Sequence, residues 1–312
     1  MTRPLRIDFP GGIYHVTSRG DRKEPIFTDD RDRHLLIEVL AQALDRFDAA
    51  ALAYCLMGNH YHLVLRTNRA NLSRLMRHVN GVYAQAFNRR HGLVGHLFQG
   101  RFGSIHVDRD AYLLQVCRYT ELNPVRAGLV EAPAAWRWSS HRAHCGLERS
   151  PSWLDTPGLH GHLLGRDIAS PADRQMAASR YARFVFEGRG MPLWTHGLRQ
   201  SVYLGDSAFV ERIQARVGPA RLREREIPFA QRCAAVRTSR SLDLGGSRDE
   251  SIRQVYAEGA LNMTEIARAV GLSVSRISRV IACGEVTRHP LEGRRTIPVL
   301  RARRREQAKG KT

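Results

Sequence analysis

The stretch Met57-Gly58-Asn59-His60-Tyr61-His62-Leu63-Val64-Leu65 (57–65) decides how the first half of this chain folds. Side chains at i and i+2 of a β-strand point to the same face. His60 and His62 therefore share one face with Val64, and Tyr61, Leu63 and Leu65 form the other. The apolar face can pack on helices while the opposite face presents two imidazoles. A lone His-x-His pair is more often two surface or core histidines than a metal site, so the companions of this pair carry the weight.

Working outward, residues 12–19 (Gly-Ile-Tyr-His-Val-Thr-Ser-Arg) read as a first strand, and Thr28-Asp29-Asp30 as the cap of a helix running to about Phe47. Residues 50–57 read as a second strand and 60–66 as a third, separated at Asn59. Asn71 opens a second helix, to Phe87, and residues 95–108 hold one or two strands broken at Gly100 and Gly103. Asp108 caps a third helix, which Pro124 kinks or ends. The order predicts an α+β domain whose antiparallel sheet carries helices on one side. Beyond about 150, the Pro, Gly and His of residues 151–172 read as a linker, 173–187 as a helix and 205–240 as charged and helical.

The third helix contains Arg118-Tyr119-Thr120-Glu121-Leu122-Asn123-Pro124-Val125-Arg126. Tyr119 and Asn123 are i and i+4 and share a helical face, placing a hydroxyl beside an amide oxygen. Tyr112 is the competing tyrosine, but its i+4 neighbour is Val116, which offers a metal nothing. Two imidazoles with a carbonyl oxygen make a mixed N/O site that suits Mg²⁺ or Mn²⁺. A tyrosine is a weak nucleophile at its ordinary pKa near 10, and charge at a scissile phosphate lowers the demand on it. Arg101, Arg118 and Arg126 either assist there, position phosphates, or are simply solvated charges.

The 49 Lys+Arg exceed the 30 Asp+Glu for a formal net charge of +19, and the isoelectric point is about 10.8. An excess of this size predicts a polyanionic partner such as DNA; an arginine-rich protein without one is the plain alternative. The five cysteines form no C-x-x-C pair, which argues against a zinc ribbon or disulfide framework. No apolar run is long enough to span a bilayer, and Met1 to Arg6 lack the apolar core of a signal peptide. The expected location is the cytoplasm, on the nucleoid, with no membrane partner.

Near the other end, Glu250 to Glu258, Asn262 to Val270 and Val274 to Ile281 read as three helices with a turn at Gly271-Leu272-Ser273. The pattern predicts a helix-turn-helix that presents Ser273, Ser275, Arg276, Ser278 and Arg279 to duplex DNA; a helical packing unit with no DNA contact is the alternative. Leu242 to Ser247 read as a hinge before it. The arginines 294, 295, 301, 303, 304 and 305 read as a basic disordered tail.

Taken together, 57–64, Phe98-Gln99-Gly100-Arg101-Phe102, Arg118-Tyr119 and Leu122 to Val130 resemble the single-tyrosine HUH transposases, in the branch of the REP-associated tyrosine transposases. The resemblance covers about residues 8–145, and Trp138-Ser139-Ser140-His141 is similar to the family's closing segment. It implies a ferredoxin-like HUH fold and Mg²⁺ or Mn²⁺ held by His60, His62 and Asn123. It also implies attack by Tyr119 on single-stranded DNA beside a hairpin, leaving a 5′-phosphotyrosine and a free 3′-hydroxyl that can later drive strand transfer. Asn123 departs from insertion-sequence relatives, which commonly have glutamine there. The expected organisation is an HUH domain (1–148), a linker and helical extension (149–245), the helix-turn-helix (246–286) and the tail (287–312), in a monomer or homodimer. Two other functions stay open: a DNA-binding regulator acting through the helix-turn-helix without catalysis, and a metal phosphodiesterase using water, with Tyr119 only packing.

Overall fold

The computed structural model describes residues 7–191, 198–199, 202–216, 247–257 and 263–287. The first elements are β1 (Gly12–Arg19), α1 (Asp30–Arg46), β2 (Ala49–Leu56), β3 (His60–Thr67), α2 (Leu72–His91) and β4 (Gly103–Val107). Strand order β2-β3-β1-β4, with all three pairings antiparallel, is the ferredoxin-like β-α-β-β-α-β arrangement. Local chemistry sets the boundaries. The Asp29 carboxylate caps α1 by accepting from the Arg31 and Asp32 amides, and α2 stops at Gly92, in the left-handed region at φ 64°. Only one strand forms in 95–108, and it starts where Gly103 lies opposite Thr17: a Cβ there would sit 2.9 Å from the threonine hydroxyl.

The alternation in β3 sorts its side chains as the sequence predicts. Tyr61, Leu63 and Leu65 join Tyr14 and Val16 of β1 in a core closed by α1 (Leu36, Leu40, Leu44) and α2 (Leu75, Met76, Tyr83). Truncating a leucine buried this fully costs about 2–5 kcal/mol. Tyr61 is further tied by its hydroxyl to Asn80 of α2, whose Nδ2 donates to Ser18 Oγ at 3.0 Å.

The α+β class holds, but the sheet has helices on both faces. The second layer is α3 (Arg109–Arg126), a short α4 (His141–His144), α5 (Thr156–Leu164) and α6 (Pro171–Glu187). Val64, Leu52 and Ala53 pack there against Val116, Cys117 and Leu122 of α3, Leu159 of α5 and Tyr181 of α6. Residues 151–172 are therefore not a free linker. Ala51 N–H donates to Trp153 O (3.1 Å), Asp155 N–H donates to Ala51 O (2.8 Å), and α5 follows. Pro124 does not end α3, which runs two residues further to Arg126. The chain then returns as β5 (Leu198–Arg199) and β6 (Tyr203–Leu204), with β6 parallel to β4, and α7 (Ser207–Gln214) follows. The remaining part of the segment expected to be helical, 217–240, lies outside the described residues, as do hinge residues 242–246.

His106 of β4 is buried between Phe9 and Tyr203, and burial lowers its pKa from 6.5 to about 3. Below pH 6.5 the unfolded chain takes up a proton that the folded one refuses, so stability falls until the pH reaches about 3. The loss is on the order of 3–5 kcal/mol. His106→Phe, which keeps a ring in place, should move the acid-unfolding midpoint to lower pH in a circular-dichroism titration. An unchanged midpoint would overturn this assignment.

Three further helices, α8 (Arg248–Ala257), α9 (Met263–Val270) and α10 (Val274–Thr287), close on their own apolar cluster of Ile252, Ile266, Ala267, Ile277, Val280 and Ile281. The turn expected at 271–273 is present, with Gly271 at φ 67° and the Ser273 hydroxyl accepting from the Arg276 amide at 3.2 Å. The basic tail, residues 288–312, lies outside the described residues.

Candidate active site

His62 sits near the start of β3, paired across to Thr17 of β1 and to Cys55 of β2. Its neighbour on β1 is His15, whose ring stacks on that of His62 at 5.2 Å between centroids. His62 Nδ1 and His15 Nε2 are 3.1 Å apart. Tyr119 of α3 meets both rings edge-on, with centroids 5.8 Å from each. Nucleophile candidate and histidine pair thus meet within a single chain. The His60 and His62 rings lie 5.1 Å apart.

The hydrogen bonds fix which nitrogens face outward. Asn59 donates through Nδ2 to Lys23 O (2.8 Å), which turns its Oδ1 to His60 Nδ1 (2.7 Å). An amide oxygen only accepts, so His60 carries its proton on Nδ1 and leaves the Nε2 lone pair available. His62 Nδ1 is likewise engaged, by His15 Nε2. Carboxamide and imidazole partners of this kind orient metal-ligating histidines. Burial, with Arg19 alongside, lowers the His60 pKa. Burial, then the nearby His15, His60 and Arg19, holds that of His62 well below 6.5. Both rings are neutral at neutral pH, the form that binds cations.

Asn123 lies one turn beyond Tyr119. Pro124 has no N–H, so Thr120 O would be left without its helical partner. Asn123 Nδ2 fills the gap, donating to Thr120 O (3.3 Å) and to Tyr119 O (3.0 Å). The amide nitrogen is held by the backbone, and Oδ1 is the end left for a ligand. The donor set therefore fits a hard or borderline divalent ion: two neutral imidazoles and one amide oxygen. Among the described residues no group of three His, Cys, Asp or Glu side chains is placed to hold a metal, so an ion here depends on such mixed donors.

The arginines diverge. Arg126 lies over the Tyr119 ring, 5.2 Å from its centroid, and donates to Met191 O at 3.0 Å. Burial raises the Tyr119 pKa and Arg126 opposes that rise. Arg118 turns to α6 instead, stacking on Phe184 at 4.3 Å and donating to its carbonyl at 3.4 Å. Arg101 is exposed in the segment before β4. Tyr112, near the start of α3, is half-buried against the second apolar cluster. In the distal helices Ser275, Arg276, Ser278 and Arg279 are all exposed on α10.

Residues 10–123 match the family model described as Transposase IS200 like. Over that stretch the chain is similar to the family. The chain is also similar in structure to a chain described as "Structure of the REP associates tyrosine transposase bound to a REP hairpin". The TM-score is 0.42 and the identity 18%, over 48% of this chain and 89% of that one. No curated protein matches in sequence. No helix among the described residues is long and apolar enough to cross a membrane.

His15 and Asn59 are the contributors that the sequence reading missed. Alternation in β1 places His15 on the face of Ile13, but its meeting with His62 depends on the β1–β3 register, in which it sits diagonally across.

Proposed function

We propose that the transposase domain cleaves single-stranded DNA beside a hairpin and rejoins it, with Tyr119 as nucleophile. The observation that carries this is Tyr119 lying edge-on to His62 and one helical turn from Asn123. The Tyr119 hydroxyl gives up its proton as its oxygen attacks phosphorus, the P–O3′ bond breaks, and the leaving 3′-oxygen takes up a proton. The product is a 5′-phosphotyrosine with a free 3′-hydroxyl. That hydroxyl, or one on another strand, can reverse the step. The phosphotyrosine bond keeps the energy of the phosphodiester, so no external source is required. His60, His62 and Asn123 hold Mg²⁺ or Mn²⁺ in this reading; when bound, the ion polarises the phosphate and offsets charge on its oxygens. Arg126 lowers the cost of phenolate at Tyr119. Arg101 serves as a phosphate contact. Arg118, turned onto Phe184, contributes through packing more than through DNA contact. The test is incubation with labelled hairpin DNA and Mn²⁺, followed by denaturing electrophoresis for a covalent adduct.

A second activity rests on α10, whose exposed Ser275, Arg276, Ser278 and Arg279 form a polar face beside a separate apolar cluster. We read this unit as a helix-turn-helix that grips duplex DNA, the property that a pure regulator would use alone. Deleting residues 246–312 should leave adduct formation intact and weaken duplex binding at least tenfold in a gel-shift titration, since several phosphate contacts are lost. Equal duplex affinity of the two forms would remove the second activity. In a homodimer or a monomer, each chain contains a complete set of candidate groups.

A further inference from the structure

We infer that Glu121 is a positioning residue, whose buried carboxylate fixes helix α3 against the histidine-bearing strands and so sets the placement of Tyr119 and Asn123. The inference rests on the tyrosine-nucleophile reading above.

Glu121 lies between the two candidate groups, two residues from each, on the side of α3 turned away from them. Its side chain is fully buried. Ser140 Oγ donates to Oε1 at 2.6 Å, His144 Nδ1 donates to the same oxygen at 2.7 Å, and His141 Nδ1 donates to Oε2 at 3.1 Å. All three donors come from the short segment at α4. That segment is itself bonded to β2. Tyr54 N–H donates to Ser140 Oγ (3.0 Å), Ser140 N–H donates to Tyr54 O (3.0 Å), and Leu56 N–H donates to Trp138 O (2.8 Å). In the β2–β3 ladder Cys55 is the partner of His62, and Ser139 bridges to Cys55 from the other side. A continuous path of hydrogen bonds thus runs from the His62 strand through β2 and Ser140 to Glu121, and along α3 to Tyr119.

Glu121 and Ser140 are both fully buried, so their part is to position and not to contact a substrate. A packed core needs no carboxylate here, because burying one is costly unless every lone pair finds a donor. Short, directional bonds from three donors locate a helix more tightly than apolar contact, which tolerates sliding. Reactions of pre-positioned groups are steep in distance: a displacement near 1 Å costs about 100-fold in rate.

The test uses the full chain with Glu121→Gln, which keeps the shape but replaces one acceptor oxygen with a donor, and with Ser140→Ala, which removes the hydroxyl's bonds to Glu121 and from Tyr54 N–H and leaves the charge. The single-turnover rate of adduct formation on hairpin DNA is measured beside the hairpin Kd and the melting temperature. The expected result is a rate constant lower by about 10- to 100-fold in Glu121→Gln, a smaller fall in Ser140→Ala, and an unchanged Kd in both. Lower melting temperatures with wild-type rates per folded molecule would overturn the inference and leave Glu121 a stabilising residue only. If Glu121→Gln does not fold, Ser140→Ala decides in the same terms. Absence of any Tyr119 adduct in the wild-type protein would instead overturn the reading on which the inference stands.

Discussion

Tyr119→Phe should abolish the covalent protein–DNA adduct, a loss of at least about 1000-fold, while hairpin affinity stays within about twofold. The substitution removes one oxygen and keeps the ring that meets His15 and His62. The fold and the DNA surface are therefore preserved and only the attacking atom is lost. Tyr112→Phe is the control, since Tyr112 packs against the second apolar cluster. Burial raises the pKa of Tyr119, so the phenol is protonated at neutral pH, and the adduct rate should climb as the pH is raised above neutral. Cleavage that survives in Tyr119→Phe would point to water as the nucleophile and reduce Tyr119 to a packing residue.

Removing the imidazoles should have the next largest effect. His62→Ala and His60→Ala are each expected to lower the adduct rate by about 100-fold or more at a fixed low Mn²⁺ concentration. The second readout is binding itself: Mn²⁺ affinity, followed by electron paramagnetic resonance of the free ion, should fall by a similar factor. The two variants differ in their side effects. His62 is buried against His15 and its removal opens a cavity, whereas His60 is only half-buried and its ring is held mainly by Asn59. His60→Ala is therefore the cleaner test of the ion. Unchanged Mn²⁺ affinity in His60→Ala would remove this histidine from the ligand set.

Most of the first domain was legible because its strands obey a period of two and two of its helices, α1 and α3, start at acidic caps. The face assignment of Tyr61, Leu63 and Leu65 follows from alternation alone, and Asp29 and Asp108 act as the caps that their positions announce. Helix α5 was not read, although its signals were present: Asp155 caps it, Pro157 stands in its first turn and Gly165 ends it at φ 69°. Its low count of apolar residues hid a helix that needs only Leu159 and its neighbours to seal the second face of the sheet. His15, Asn59 and Glu121 were invisible for a different reason. Each acts through a partner at least 19 residues away or through a tautomer, and neither leaves a mark in spacing. The single-face expectation failed on the same ground: what covers a sheet's far side depends on chain that arrives later.

The Asn123-Pro124 pair has one further consequence. A side-chain amide in water samples several rotamers, and a ligand that needs one of them must suppress the others at an entropic cost. Here the missing proline N–H has already selected the rotamer, because the helix itself occupies the amide nitrogen. If Asn123 holds the ion as proposed, its side chain is confined before the ion arrives, and a defect in the helix ladder becomes the means of confining it.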